Sequence, residues 1–368
     1  WSIISFSRWL EGERYNMTVK YLDSKRISGI TADRTGTPEV PAVSGGWKEV
    51  GRTTLGSSAD TISVASLPDK KYYMILGHIK NTGGNTVSHV RVNSSTADYS
   101  LRRSVNNATD QTETSTNRLF STHNSKSIDS RFIQGYLANK SDIEKLGLFN
   151  VVENPSTGAS GQPAKIEGVG KHAQTSSALN EVRLYNDEAG SFATGGELVV
   201  LGWDESDTHT TNFWEELASV ELSSSNTTID TGTITAKKYL MYQIFAKKST
   251  SGDVRFRFNS DTGSNYTQRN GINGTDYSYG SLDKMNICGD PAQTTDNFFG
   301  TGFIINNSSD EKLLTGYGLW RNTAGAGNVP KRAELANKWA NTSSQITSIQ
   351  AINTTFDTGS ILKVWGSD

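Results

Sequence analysis

The second half of the sequence repeats the first, and this repeat constrains the fold more than any other feature. The segment Lys70-Lys71-Tyr72-Tyr73-Met74 matches Lys237-Lys238-Tyr239-Leu240-Met241, a spacing of 167 residues (237 − 70). The same spacing aligns segment 173–177 (AQTSS) with segment 340–344 (ANTSS). An ordered series of such matches indicates that one structural unit occurs twice in the chain.

The limits of the matched segments predict the domain organisation. Trp47 opens the first copy and Trp214 opens the second, and each copy closes on an apolar run, Leu198–Gly202 or Leu362–Gly366. The expected organisation is an N-terminal arm at 1–46, a first domain at 47–204, a polar linker at 205–212 and a second domain at 213–368.

Both copies have the pattern of β-strands. Short runs rich in Val, Ile, Thr, Tyr and Phe are separated by clusters of Gly, Asn, Asp and Ser, a spacing typical of a sandwich. Segment 330–339 has the local composition of a helix, but its duplicate contains Gly168 and Gly170, each of which would destabilise a helix by roughly 1 kcal/mol. We therefore expect a strand there in both copies. The sequence predicts an all-β protein with two tandem jelly-roll-like (Greek-key) β-sandwiches that arose by internal duplication.

Charge and cysteine content exclude several classes of partner. The 368-residue chain has 36 Lys and Arg against 38 Asp and Glu, a net charge of −2, so no binding of nucleic acid or membrane through bulk charge is expected. Its one cysteine, Cys288, has no second cysteine in the chain with which to form a disulfide. No apolar run approaches the roughly 20 residues that a membrane-spanning helix needs.

Side chains suited to catalysis do not recur in the two copies. All five histidines lie in or just after the first domain; His78 aligns with Phe245 and His172 with Trp339, so we expect both positions to hold a large flat ring. Cys288 aligns with Ser121 and is expected to be an inert thiol. The sequence therefore predicts no catalytic residue, no cofactor, no metal ligand and no enzymatic activity.

Two weaker patterns have competing interpretations. Segment Asn259–Asn265 carries oxygen donors at alternate positions, as calcium requires, but its duplicate lacks the acid and the glycine, which favours a turn rich in Asx residues. Neighbouring carboxylates, at Glu215 and Glu216 or in segment 204–207, resemble an acid–base pair. Their positions at a domain start and in a linker favour solvated charge instead.

Aromatic residues outside the apolar runs are the candidate contact sites. Tyr277 and Tyr279 lie in a Gly- and Asn-rich loop predicted at 273–280, and Trp320 precedes another loop, so these rings could stack on a glycan, cover a core edge or form an oligomer contact. The N-terminal arm is either a leader or a docking segment that inserts aromatic side chains into a neighbouring subunit. The arm residues proposed for docking are Trp1, Phe6 and Trp9.

Several longer motifs support a family resemblance. The second domain contains TIDTGTITAKKYLM (228–241), RFRFNSDTGSNY (255–266), NTAGAG (322–327) and KWANTSSQIT (338–347). These segments resemble a repeating β-domain of structural proteins from tailed phages and related viruses, especially marine ones, and the first domain matches more weakly.

The resemblance implies a virion protein with no enzymatic residues. We expect a homo-oligomeric capsid, capsid-decoration or tail-fibre component, located in the virion, whose partners are copies of itself and other virion proteins. The alternative is a host-recognition module of a phage fibre that binds a surface glycan. A polysaccharide-degrading enzyme is the third interpretation.

Overall fold

The computed structural model confirms an all-β protein. It describes residues 43–44, 46–122, 130–209, 211–248, 250–288, 297–321 and 324–368. Within these ranges the chain forms strands β1 to β27. Over the same ranges, it contains no helix long and apolar enough to cross a lipid bilayer.

The strands of the first half, apart from β1, build one sandwich. They are β1 (Val43–Ser44), β2 (Lys48–Thr54), β3 (Thr61–Ala65), β4 (Tyr72–Thr82), β5 (His89–Val92), β6 (Tyr99–Val105), β7 (Gln111–Thr116), β8 (Phe120–Ser121), β9 (Ser130–Ala138), β10 (Lys145–Asn154), β11 (Ala164–His172), β12 (Glu181–Tyr185), β13 (Ser191–Phe192) and β14 (Glu197–Trp203). The large sheet has the order β2-β14-β4-β9-β10-β11-β6-β7, with β13 paired to β4. The small sheet has the order β3-β12-β5-β8.

The strands of the second half repeat this arrangement. They are β15 (Thr208–His209), β16 (Glu215–Glu221), β17 (Asn226–Asp230), β18 (Tyr239–Ala246), β19 (Arg255–Phe258), β20 (Tyr266–Ile272), β21 (Thr275–Leu282), β22 (Met285–Asn286), β23 (Phe298–Ile305), β24 (Lys312–Trp320), β25 (Lys331–Trp339), β26 (Ile349–Phe356) and β27 (Ile361–Ser367). The large sheet is β16-β27-β18-β23-β24-β25-β20-β21 and the small sheet is β17-β26-β19-β22. Strand β15 pairs with β1, outside both sandwiches.

The strand pairing is that of a jelly roll. In the first sandwich, eight strands in chain order are β2, β3, β4, β5, β8, β9, β12 and β14. The first pairs with the eighth, the second with the seventh, the third with the sixth and the fourth with the fifth, all antiparallel. This nested pairing is the double Greek key of a jelly roll. The hairpins β6–β7 and β10–β11 widen the large sheet, and the second sandwich has the same pairing and the same two hairpins.

Each sandwich has its own core between its two sheets. In β19, Phe256 and Phe258 are fully buried while Arg255 and Arg257 are partly exposed, as expected for a strand with one face on the core. In β4 and β9 of the first sandwich, Ile75 and Ile133 face the corresponding core. The helix-like segment near Pro330 is strand β25, as its duplicate predicted, and it pairs with β24 and β20.

Gly170 gives a test of how tightly the first sandwich is packed. A Cβ added to Gly170 in β11 would lie 1.8 Å from the backbone oxygen of Leu119. We expect Gly170→Ala to lower the free energy of unfolding by about 1–3 kcal/mol, because backbone atoms on both sides must shift. Urea denaturation measures this, with Gly56→Ala as the control, since nothing lies within 4 Å of that Cβ. Equal effects of the two substitutions would contradict the packing described.

Candidate assembly surface

The outer face of each large sheet, which is turned away from the small sheet, has two halves. Face A lies at the start of β4 and the end of β14 in the first sandwich, and at the equivalent strand ends of the second. Face B lies at the opposite ends of the same strands.

Face A of the first sandwich is formed by Tyr72, Tyr136, Leu146, Leu148, Val169 and Trp203, and face B by Leu76, His78, Phe132, Val152 and Val199. With the duplication spacing, face A of the second sandwich is formed by Tyr239, Phe303, Leu313, Thr315 and Ala336, and face B by Gln243, Phe245, Phe299, Leu319 and Lys363.

Face A of the second sandwich packs on face B of the first. Apolar side chains from both sandwiches form one buried cluster, separate from the two cores. Its members are Met74, Leu76, Phe132, Val152, Val199, Leu201, Phe213, Tyr239, Phe303, Ile305, Leu313 and Ala336. The two jelly rolls are therefore joined by an apolar interface as well as by the chain.

A buried ion pair lies at the border of this interface. Lys338 Nζ is 2.9 Å from Glu311 Oε2, and both side chains are almost fully buried. Asn154 of the first sandwich accepts a hydrogen bond from Lys338 (2.8 Å) and donates one to Glu311 (2.7 Å). The backbone N–H of Gly158 donates to the other oxygen of Glu311 (2.6 Å). These hydrogen bonds satisfy charges that would be costly to bury alone.

His78 is enclosed within the same interface. It is fully buried, Asn307 Nδ2 donates to its Nδ1 (3.0 Å), and its Nε2 lies 3.9 Å from Asp310 Oδ2. Burial lowers the pKa of His78 to about 4, although the Asp310 carboxylate acts in the opposite direction. Lys80 pairs with the same carboxylate at 2.6 Å. The imidazole is therefore neutral at pH 7 and serves as an uncharged interface side chain.

Face A of the first sandwich is exposed, in contrast to its counterpart. Leu146 and Leu148 are 53% and 57% exposed, whereas the equivalent Leu313 and Thr315 are buried. A groove of about 900 Å³ runs over this face. Its apolar and aromatic lining includes Trp47, Tyr72, Tyr136, Leu146, Leu148 and Trp203. Contiguous exposed apolar surface of this kind marks an interaction site.

Face B of the second sandwich is exposed in the same way. Phe245, Phe299 and Leu319 are 38%, 39% and 49% exposed. In the first sandwich the equivalent residues are His78, Phe132 and Val152, all of which are buried in the interface between the sandwiches. Positions 78 and 245 both hold a flat ring, but the ring of His78 is enclosed and the ring of Phe245 faces solvent.

The predicted glycan-contact residues do not form one site. Tyr277 and Tyr279 lie on the edge strand β21, not in a loop, and are 39% and 52% exposed. Trp320 is only 3% exposed, so the prediction that it contacts a glycan is wrong. It is the last residue of β24, and the alternation after Leu319 turns it into the core. The proposed docking residues Trp1, Phe6 and Trp9 lie outside the described residues.

The surroundings of His172 and Cys288 indicate a structural role for each. His172 stacks on Tyr99 (4.3 Å between ring centroids) as Trp339 stacks on Tyr266 (6.2 Å), which confirms the expected flat-ring position. Cys288 is buried, and burial raises its pKa to about 12, so its thiol is protonated at neutral pH.

The calcium interpretation has no support in the geometry. In the predicted Asx-rich turn, the Asp261 carboxylate accepts hydrogen bonds from Gly263 N (2.8 Å), Asn265 Nδ2 (2.9 Å) and Trp339 Nε1 (2.8 Å). Across the described ranges, no group of three or more His, Cys, Asp or Glu side chains could hold a metal ion. The carboxylate of this turn is therefore held by donors within the sandwich.

Comparisons with known proteins give similarity to solved structures only. No protein-family model and no curated protein matches the chain. The chain is similar to the LG1–3 region of the laminin α2 chain, at 8% identity and a TM-score of 0.20, over 83% of this chain and 64% of that one. It is also similar to domains LG4–5 of the mouse laminin α1 chain, at 9% identity and a TM-score of 0.18, over 87% of this chain and 90% of that one.

The environment of His78 predicts a pH dependence of stability. Between pH 6.5 and about 4 the unfolded chain binds a proton at His78 that the folded chain does not, so the free energy of unfolding decreases as the pH falls through this range. His78→Gln removes this contribution, so the stability advantage of the wild type should shrink from pH 7 to pH 4.5. Urea denaturation of both proteins at the two pH values measures it, and the other histidines cancel in the difference. A difference that stays constant with pH would show that the pKa of His78 is the same in the folded and unfolded chains.

Proposed function

We propose that the protein is a structural, non-enzymatic subunit of a virus particle that assembles with copies of itself. The observation that carries the proposal is the exposed apolar face A of the first sandwich, whose counterpart in the second sandwich is buried against another jelly roll. A surface that buries protein in one copy is suited to bury protein in the other, because the two copies have the same strand order.

The location in a particle is supported by the sequence motifs that resemble structural proteins of tailed phages. Two jelly rolls with sheet faces available for contact suit a capsid, capsid-decoration or tail-fibre component, which must bury flat surfaces against neighbours. Other proteins of the particle are then further partners.

Two measurements test this proposal. Light scattering on the purified chain should give a mass that is a multiple of the 40.0 kDa chain. Antibody-labelled electron microscopy should locate the protein on the particle. A chain that stays monomeric at every concentration would contradict self-assembly. Absence of the protein from purified particles would contradict the particle location.

A second candidate function, glycan binding, is supported by Tyr277 and Tyr279. These two side chains are two residues apart on edge strand β21, so they lie on the same side of the strand, and both are substantially exposed. Exposed aromatic rings in this arrangement can stack on sugar rings. Binding on a glycan array that disappears in Tyr277→Ala/Tyr279→Ala would support this candidate, and a wild-type chain that binds no glycan would reject it.

A further inference from the structure

We propose that face A of the first sandwich binds face B of the second sandwich in a neighbouring chain, in the same arrangement that joins the two sandwiches within one chain. This inference rests on the proposed self-assembly and names the partner surface. The contact inside the chain uses one face A and one face B. It leaves one exposed face of each kind, on opposite sandwiches.

The exposed apolar side chains belong almost entirely to these two faces or to their borders. Face A of the first sandwich carries Tyr72, Tyr136, Leu146, Leu148 and Val169, and face B of the second carries Phe245, Phe299 and Leu319 with Tyr317 at its border. If the internal contact is repeated between chains, these side chains meet one another. One self-complementary patch would need only one kind of face, whereas two different faces indicate a head-to-tail contact.

Comparison of equivalent residues in the internal and the proposed contact supports this pairing. Inside the chain, Asp310 beside face A meets His78 of face B, a polar contact. The duplication spacing places Ile143 at the position of Asp310 and Phe245 at the position of His78. Both residues are substantially exposed. The repeated contact would therefore join two apolar side chains where the internal contact joins two polar ones. Lys247, which stands at the position of Lys80, is exposed and would keep its ammonium group in solvent beside Ile143.

The charged contacts of the internal interface are repeated only in part. Lys238 Nζ lies 2.9 Å from Glu197 Oε1 across that interface, and the equivalent residues are Lys71 and Ile361, so this ion pair has no counterpart. Inside the chain, Lys165 Nζ lies 3.6 Å from Glu334 Oε2, and the equivalent residues are Arg332 and Glu167. A cation would again face a carboxylate. Likewise Glu144 and Lys171, an exposed ion pair at 2.9 Å, stand where Glu311 and Lys338 form the buried pair.

A main-chain contact can be repeated as well. Inside the chain, Arg269 Nε donates a hydrogen bond to the carbonyl oxygen of Pro163 (2.9 Å). The equivalent residues are Arg102, whose side chain is 61% exposed, and Pro330, which is also exposed. Apolar, ionic and hydrogen-bonding contacts of the internal interface thus each have at least one usable counterpart on the two exposed faces.

Head-to-tail contacts produce a row of sandwiches in which contacts within a chain alternate with contacts between chains. Such a row closes into a ring of chains when the rotation at each junction permits it, and otherwise forms a filament. In a closed ring every face A and every face B is covered, so the complete assembly has no exposed face of either kind.

A mixing experiment tests the direction of the contact. Leu148→Asp places a carboxylate on face A, and Leu319→Asp places one on face B. Each variant alone should be monomeric in light scattering, with its dissociation constant raised at least about thirtyfold, as for the loss of a central interface residue. An equimolar mixture should give a dimer of one chain of each kind, because it retains one intact face A and one intact face B. Tyr279→Asp, an exposed aromatic residue outside both faces, is the matched control and should assemble normally.

The outcomes separate this inference from the proposed function. A wild-type chain that assembles while Leu319→Asp leaves its assembly unchanged would overturn the head-to-tail contact and keep self-assembly; binding of face A to face A gives that result. Absence of a dimer in the mixture would also overturn the inference. A wild-type chain that never assembles would contradict the proposed function itself. Circular dichroism checks that each variant is folded, and Leu148→Ser with Leu319→Ser repeats the experiment without a new charge.

A second experiment introduces the internal polar contact into the proposed interface between chains. Ile143→Asp or Phe245→His alone should weaken association at least about tenfold, because each places a polar side chain against an apolar one. The two substitutions together recreate the Asp310–His78 contact, and Lys247 stands at the position of Lys80 to pair with the carboxylate. The double variant should regain most of the lost affinity. Purely additive losses would show that the two residues do not meet.

Discussion

Leu313→Ala should lower the free energy of unfolding by about 2–5 kcal/mol, whereas Leu146→Ala at the equivalent position should change it by less than about 0.5 kcal/mol. The two leucines occupy the same position of the duplicated large sheet. Leu313 is fully buried in the cluster between the sandwiches, and Leu146 is 53% exposed. Truncation therefore leaves a cavity in one case and removes a solvent-facing side chain in the other.

Urea denaturation at a concentration where the chain is monomeric measures this difference. Leu146→Ala is the matched control because it has the same chemistry, the same strand position and a different environment. Equal losses of stability would contradict the assignment of face A of the second sandwich to the interior. In light scattering at higher concentration, the order should reverse, and Leu146→Ala should be the variant that weakens assembly.

Glu311→Gln should cost about 3–5 kcal/mol of folding stability, because it leaves the buried ammonium group of Lys338 without the carboxylate of residue 311. Glu144→Gln alters the equivalent exposed pair with Lys171 and should cost less than about 1 kcal/mol. Thermal or urea unfolding of both variants at pH 7 measures the difference.

Lys338→Met in the Glu311→Gln background removes the uncompensated charge and should recover part of the loss. No recovery would show that the charge of Lys338 is not the cause of the destabilisation. A small effect of Glu311→Gln would show instead that water reaches the ion pair.

Much of the fold could be predicted because it depends on local patterns that occur twice. Gly168 and Gly170 of the first copy argued against a helix in the equivalent segment 330–339 of the second copy, which has the composition of a helix. The alternation in β19 predicted which side chains face the core. The strand spacing predicted a jelly-roll-like sandwich, and the structure supplies the nested strand pairing.

The candidate site could not be predicted in the same way, because its burial depends on how the two sandwiches pack. Leu146 and Leu148 alternate with core-facing residues in β10, so that this strand is apolar on both sides. That double pattern was the available signal for a second contact surface. Whether a face is covered or exposed differs between the copies, and nothing local distinguishes Leu146 from Leu313.

The aromatic residues were misread for a related reason. Trp320 was placed before a loop, but the regular alternation of β24 continues to its last residue and turns the indole inward. Tyr277 and Tyr279 lie among Asn and Gly residues that suggested a loop. The segment is a strand because Asn273-Gly274 forms the two-residue turn of a hairpin, in which β21 pairs with the preceding strand β20.

The polar contact around His78 has a consequence for the order of events during assembly. Suppose that face A of the first sandwich of another chain bound face B of the first sandwich of this chain. Ile143 of the other chain would then lie where Asp310 lies in the internal contact. Lys80 would then lose its carboxylate partner, and the buried imidazole of His78 would face an apolar side chain, a costly arrangement. The second sandwich of the same chain is therefore the better binding partner for face B of the first sandwich. We expect each newly made chain to close on itself before it joins a neighbour.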